Sequence, residues 1–161
     1  MGSSILEAAL KNAGNPPFEP TAGIESAGHP DLGQSIADGS ACKVSDDLPT
    51  ALKQADVLIE FTTPEATLAN AKLATEAGVP MVIGTTGLSA EQRQQLESYA
   101  KKTPLFVSAN MSIGIHLMRR LLMEAATVLK NYGIQQDAEL SISETHHVGK
   151  KDSPSGTAKQ L

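Results

Sequence analysis

A polar stretch at residues 143–157 carries the side chains best suited to chemistry. His146 and His147 are adjacent in it, and Lys150 follows shortly after. Imidazole exchanges protons near neutral pH, and a lysine among other cations loses its proton more readily and can act as a general acid. The Pro-Ser-Gly-Thr run at 154–157 can open a helix whose free N–H groups hold a carboxylate or phosphate. The stretch therefore predicts a site that binds a small anion and gives it a proton.

Each of these features has an ordinary structural explanation when it is taken alone. Adjacent histidines in a loop are usually solvated, and a Lys-Lys pair is usually an exposed charged face. Because the histidines lack Cys, His or carboxylate partners at ligand spacing, no metal site is predicted. The combination of these features indicates a functional site more strongly than any one of them does. In it, an alternating strand over 138–142 is followed by His-His-x-x-Lys and then by Pro-Ser-Gly-Thr.

Length and composition exclude several classes of protein. With 161 residues, the chain suffices for one domain, or for one domain and part of another. A net charge of −5 argues against a nucleic-acid partner, and no apolar run approaches a membrane span. The N-terminus lacks the pattern of a signal peptide, and the single Cys42 suits a reducing compartment. We expect a cytoplasmic protein with a small-molecule substrate and neither a nucleic-acid nor a membrane partner.

Strands and helices alternate through the first two thirds of the chain. A helix is predicted over 1–12 and a short strand over 20–25. Apolar runs predict three strands buried on both faces, at 57–61, 79–83 and 105–107. Pro49 in a first turn predicts a short helix over 47–55. Capping residues place two further helices, one between Thr63 and Gly78 and one from Ser89 to Lys101. This rhythm predicts a Rossmann-like α/β fold with a doubly wound parallel sheet.

The pattern changes after the third buried strand. A long helix over 114–130 has a stripe of Leu, Ile and Met expected in a core, and the half-exposed strand over 138–142 follows it. We therefore predict a dinucleotide-binding domain over 1–112 and the start of a second, α+β substrate domain over 113–161.

Small polar residues follow all three predicted buried strands. They lie at 61–63, 84–86 and 108–110. Ligands of doubly wound sheets bind at the carboxyl ends of the strands, so these loops predict a nucleotide crevice. Such residues are also common in turns, so a single loop of this kind would indicate little.

Three segments of the chain resemble the family of 4-hydroxy-tetrahydrodipicolinate reductase, also called dihydrodipicolinate reductase. They are Glu144–Thr157, Val82–Gly87 and Ala109–Gly114, and the resemblance extends over nearly the whole chain. It implies reduction of a cyclic dicarboxylate with NADH or NADPH, in the diaminopimelate route to lysine. It also implies that the full-length form is a homotetramer.

The same resemblance implies roles for individual residues. It assigns His146 and Lys150 to catalysis, with Lys150 as the general acid. It assigns substrate contacts to His147, Gly156 and Thr157. It implies that Glu25 holds the adenosine ribose and that two further loops contact the cofactor, which are Gly84, Thr85 and Thr86, then Ser108, Ala109, Asn110 and Met111.

Some features depart from the family pattern. Many relatives have a basic residue where this chain has Ser26, so we expect use of NADH or of both coenzymes. Met1-Gly2 matches only the end of the family's glycine-rich loop, and the chain stops soon after the Ser-Gly-Thr turn. We therefore expect a fragment of a longer enzyme, inactive by itself.

Two alternatives stay open at the level of sequence. One is a truncated, non-catalytic nucleotide-binding module, which the incomplete glycine-rich loop favours. The other is a different two-domain dehydrogenase, acting on an amino acid or a semialdehyde, against which the His-His-x-x-Lys signature speaks. Replacement of Lys150 by Ala distinguishes the non-catalytic module from a reductase, because only a reductase has turnover to lose. Activity measured on a panel of substrates distinguishes the other dehydrogenase.

Overall fold

The computed structural model describes residues 1–11, 18–36, 40–134, 141–146, 148–149, 153–158 and 161. The chain divides into two compact units, Met1–Val107 and Ser108–Leu161. The first unit, as described, contains five strands and four helices, and the described part of the second contains one long helix.

The first unit is built from parallel strands linked by helices. In chain order the elements are α1 (Gly2–Lys11), β1 (Gly23–Ile24), β2 (Val44–Ser45), α2 (Leu48–Leu52), β3 (Leu58–Glu60), α3 (Pro64–Ala77), β4 (Met81–Ile83), α4 (Ala90–Ala100) and β5 (Leu105–Val107). Strands β1 and β2 form one parallel pair, and β3, β4 and β5 form a parallel sheet with β4 in the centre. This arrangement confirms the predicted Rossmann-like α/β fold.

Local sequence signals set the limits of the helices between these strands. Thr63 begins α3 by accepting the N–H of Ala66, and Gly78 ends it with a left-handed φ of 73°. Ser89 and Gln92 form the predicted capping box at the start of α4. Helix and strand therefore change over where the caps predict, which places the loops at the strand ends.

The core of the first unit lies on one face of the three-stranded sheet. Met81 and Ile83 of β4 point to this face and pack with apolar residues of the helices, which are Leu48, Leu52, Ala71, Ala74 and Leu96. On the other face, Ile59, Val82 and Phe106 lie in register, and Ile59 and Phe106 are 43% and 58% exposed. The prediction that β3 and β5 are buried on both faces is therefore wrong, because the packed helices cover only one face.

The long helix of the second unit is α5 (Ile113–Asn131), close to its predicted span. Its apolar stripe was expected in a core, but none of its residues is buried. Of the strand predicted over 138–142, only Ser141 and Ile142 are described, and neither pairs with a described strand. No helix in the described ranges is long and apolar enough to cross a membrane.

Candidate functional site

A buried carboxylate fixes the loop that follows β3. Glu60 ends this strand and is only 3% exposed. One carboxylate oxygen accepts the backbone N–H of Thr62 at 3.1 Å and also the Thr62 hydroxyl, and the other accepts Nδ2 of Asn70 at 2.8 Å. These three donors compensate for the removal of the carboxylate from water. Since Thr62 lies in the loop and Asn70 lies in α3, the carboxylate connects the loop to this helix.

The loop after β4 begins with a glycine that an aromatic ring approaches closely. A Cβ atom at Gly84 would overlap the Phe61 ring, with Cε1 as the nearest atom. The N–H of Gly84 also donates to the backbone oxygen of Glu60 at 2.8 Å. The close approach of the ring requires glycine at this position. The hydrogen bond to Glu60 connects the ends of β3 and β4.

The two threonines that follow Gly84 have different environments. Thr85 is 5% exposed, and its hydroxyl accepts the hydroxyl of the fully buried Thr67 at 2.8 Å. Thr86 is exposed. Of the two predicted cofactor residues, Thr85 therefore anchors the loop to helix α3, and the side chain of Thr86 is accessible to a ligand.

Glu25 lies directly after β1, as the sequence predicts. Its backbone N–H donates to Ser45 of the neighbouring strand at 3.0 Å, and its side chain is exposed. Ser26 follows and begins a turn in which its oxygen accepts the N–H of His29 at 3.1 Å. An exposed carboxylate at the end of a parallel strand can accept hydrogen bonds from two ribose hydroxyls.

The loop after β5 belongs to the second unit and is ordered by Asn110. Ser108 donates its hydroxyl to the Asn110 backbone oxygen at 2.6 Å, and Asn110 Oδ1 accepts the N–H of Ser112, the N-cap of α5, at 2.8 Å. Asn110 Nδ2 donates to Oγ1 of Thr157 at 2.8 Å. The structure thus brings together one residue predicted for the cofactor and one predicted for the substrate. Ala109 is half-buried and Met111 is exposed in the same loop.

Glu144 holds the Ser-Gly-Thr turn from the opposite end of the polar stretch. Its carboxylate accepts the backbone N–H of Ser155 at 2.7 Å and also the Ser155 hydroxyl, and Ser155 is 1% exposed. Its Oε2 also lies 3.6 Å from Nδ1 of His146, close enough for an ion pair when the imidazole is protonated. One carboxylate therefore serves both the turn and a predicted catalytic residue.

The turn itself contains the two residues predicted to grip a carboxylate. Ser155 Oγ accepts the N–H of Ala158 at 2.9 Å, and the N–H of Leu161 donates to Thr157 at 3.2 Å, as in the first turn of a helix. Within the described residues, the backbone N–H groups of Gly156 and Thr157 have no acceptor. These two donors are available to an anion.

Two of the predicted site residues, His147 and Lys150, lie outside the described residues. Sequence reasoning missed Glu60, Glu144 and Asn110 as organisers of the loops. A carboxylate that ends a buried strand, as Glu60 does, is a usable signal, but neither Glu144 nor Asn110 has such a local signal.

An open cavity of about 590 Å³ lies elsewhere in the first unit. It is lined at the amino ends of β3 and β4, among others by Asp56 and Pro80. None of the predicted site residues lines it, and ligands of parallel sheets bind at the opposite, carboxyl ends of the strands. The predicted residues and this cavity are therefore separate features.

Comparisons with known proteins match both units of the chain. The family model described as dihydrodipicolinate reductase, N-terminus, matches residues 1–111, and the one described as dihydrodipicolinate reductase, C-terminus, matches residues 114–161. The solved structure of dipicolinate-bound dihydrodipicolinate reductase from Paenisporosarcina sp. TG-14 is 26% identical, with a TM-score of 0.63. That similarity covers 96% of this chain and 57% of that protein.

Curated relatives give the same result. The chain is 38% identical over 165 residues to 4-hydroxy-tetrahydrodipicolinate reductase of Ralstonia nicotianae, which covers all of this chain and 60% of the relative. It is 42% identical over 166 residues to the corresponding reductase of Acinetobacter baumannii, covering 58% of that relative. The chain thus spans less than two thirds of the length of these relatives. It belongs to the dihydrodipicolinate reductase family.

Proposed function

We propose that the protein containing this chain reduces 4-hydroxy-tetrahydrodipicolinate to tetrahydrodipicolinate with NADH or NADPH. The observation that carries the proposal is the Ser-Gly-Thr turn, which Glu144 and Asn110 hold while the N–H groups of Gly156 and Thr157 have no acceptor among the described residues. Backbone N–H groups in such a turn suit a carboxylate. The solved relative named above is described as dipicolinate-bound, which supports a small ring dicarboxylate as the ligand.

The first unit fits a nicotinamide dinucleotide. The exposed Glu25 carboxylate suits the ribose hydroxyls, and the locked Gly84 loop presents Thr86 at the carboxyl end of β4. When bound, the reduced nicotinamide supplies the hydride. Ser26 brings no positive charge toward a 2′-phosphate, which supports use of NADH or of both coenzymes.

The second unit supplies the proton and holds the dicarboxylate. The overall conversion removes one water and adds one hydride and one proton. Lys150 gives this proton to the ring as the general acid, and His146 assists, with Glu144 Oε2 at 3.6 Å from its Nδ1. We assign His147, Gly156 and Thr157 to the substrate carboxylates, and Ser108, Ala109, Asn110 and Met111 to the cofactor.

A comparison of two lysine variants tests the proposal. In the protein encoded by the whole reading frame, we expect Lys150→Ala to reduce kcat by about 100-fold or more while the Kd for NADH changes little, because only proton transfer is lost. The matched control is Lys102→Ala, an exposed lysine after α4. Unchanged kcat in Lys150→Ala would contradict the assigned role, and an inactive wild-type protein that binds NADH would favour the non-catalytic module.

Assembly and location are also proposals. The homotetramer implied by the family is tested by light scattering on the purified protein, in which a monomer would contradict it. The cytoplasmic location is tested by cell fractionation.

A further inference from the structure

We propose that Asn110 is a positioning residue that makes the Thr157 hydroxyl a donor toward a substrate carboxylate. This inference rests on the proposed function, because it concerns the turn assigned there to the dicarboxylate. It starts from a chain of three groups, which are the Ser112 N–H, the Asn110 side-chain amide and the Thr157 hydroxyl.

The orientation of the Asn110 amide is fixed by a backbone group. A backbone N–H can only donate, so the atom 2.8 Å from the Ser112 nitrogen must be the amide oxygen, Oδ1. The other end of the amide is then Nδ2, which can only donate, and it lies 2.8 Å from Thr157 Oγ1. The Thr157 oxygen must therefore accept, and its own proton cannot be used toward Asn110.

The free proton gives the turn a third donor. Among the residues that the structure describes, the Thr157 hydroxyl has no acceptor, just as the N–H groups of Gly156 and Thr157 have none. A carboxylate only accepts hydrogen bonds, so three donors in one turn complement it. A hydroxyl that donated to residue 110 would instead turn its lone pairs toward the ligand and oppose the anion.

Two substitutions of Asn110 reverse or remove this polarity. Asn110→Asp keeps the shape and the oxygen that accepts the Ser112 N–H, but its second oxygen forces the Thr157 hydroxyl to donate away from the ligand. Asn110→Leu is similar in size and uncharged, and leaves the hydroxyl free to rotate. Each is made in the wild-type background and in a Thr157→Val background, where no hydroxyl is present. Thr157→Ser is the control that keeps the hydroxyl.

The readout is the Kd of dipicolinate, measured by titration calorimetry on the protein from the whole reading frame with NADH present. With Thr157 present, we expect Asn110→Asp to raise the Kd of dipicolinate by about tenfold or more. In the Thr157→Val background, we expect the fold-increase in Kd to be smaller by a factor of about three or more. The negative charge that Asn110→Asp introduces acts in both backgrounds, so the difference isolates the hydroxyl. Asn110→Leu should show a smaller loss that also requires Thr157, and Thr157→Ser should bind nearly as the wild type does.

Equal losses in both backgrounds, for either variant, would overturn the positioning role and leave the proposed function intact. Absence of dipicolinate binding in a folded wild-type protein would overturn the proposed ligand class and the inference with it. A thermal melt of each variant separates these results from loss of folding.

Discussion

Glu144 and Ser155 are joined by two hydrogen bonds, in which a single carboxylate accepts both the backbone N–H and the hydroxyl of the buried serine. The same carboxylate lies 3.6 Å from Nδ1 of His146. The turn proposed for substrate binding and the histidine proposed for catalysis therefore share one anchor. Changes at this anchor should affect ligand binding as well as folding.

Glu144→Gln should weaken the turn, because a neutral amide accepts a weaker hydrogen bond than a carboxylate does and brings a donor against the Ser155 N–H or hydroxyl. We expect a loss of about 1.5–3 kcal/mol in the free energy of unfolding and weaker dipicolinate binding. Urea denaturation and calorimetry measure the two quantities. Ser155→Ala is the matched variant, which removes the hydroxyl and keeps the N–H. Wild-type stability and affinity in Glu144→Gln would show that the carboxylate does not hold the turn.

Gly84→Ala should displace the Phe61 ring, because the added Cβ would overlap its Cε1 atom. Forced overpacking of this kind costs about 1–3 kcal/mol, and NADH binding should weaken because the loop moves. Thermal melts and NADH fluorescence titrations test this. In a Phe61→Leu background the same substitution should cost less. Gly114→Ala is the control, since the nearest atom to its added Cβ is 3.6 Å away. Equal effects of the two alanines would contradict the steric account.

Thr67 and Thr85 should show strong coupling in a double-mutant cycle. Either Val substitution alone leaves one buried hydroxyl without its partner, which costs about 1–3 kcal/mol, whereas the double replacement removes both polar groups and should cost less than the sum. Stability is read from urea denaturation. Thr75→Val serves as a control, because Oγ1 of Thr75 is buried with no hydrogen-bond partner among the described atoms, and it should be neutral or stabilising. Additive losses would exclude the Thr67–Thr85 hydrogen bond.

Asp47 should give helix α2 a measurable pH dependence. Hydrogen bonds from the Thr50 hydroxyl and backbone N–H hold the pKa of Asp47 below its usual 3.8. Because the folded-state pKa is lowered, the stabilisation is fully present above the unfolded pKa and is lost as the pH falls through the folded pKa. The difference in Tm between wild type and Asp47→Asn should therefore shrink below pH 4. The neighbouring exposed Asp46→Asn is the control, and the same pH dependence there would contradict the capping role.

The sequence predicts the local features of this fold well and the long-range ones poorly. Capping residues such as Thr63, Gly78 and Ser89 act within one helical turn, so the helix limits follow from a few neighbours. The exposure of Ile59 and Phe106 depends on which face of the sheet the helices cover. A local sequence pattern does not predict that face. An apolar run alone therefore indicates a strand but not how many of its faces are buried.

The site shows the same division. The motif places Gly156 and Thr157 in a turn, as predicted, because Ser155 is a good capping residue. The hydrogen bond between Asn110 and Thr157 joins residues far apart in the chain, so it depends on the path of the backbone between them. Thr85 and Thr86 look alike in sequence, but only the packing of α3 makes one of them buried.

The proposed function is tested most directly by the substrate-dependent oxidation of NADH or NADPH by the protein encoded by the whole reading frame. The substrate is 4-hydroxy-tetrahydrodipicolinate, and absorbance at the nicotinamide band reports turnover. We expect steady oxidation that requires this substrate and that Lys150→Ala slows by about 100-fold or more without loss of cofactor binding. A folded, NADH-binding protein that reduces NAD+ with an amino acid or oxidises NADH with a semialdehyde, and shows no turnover with this dicarboxylate, would contradict the proposed function.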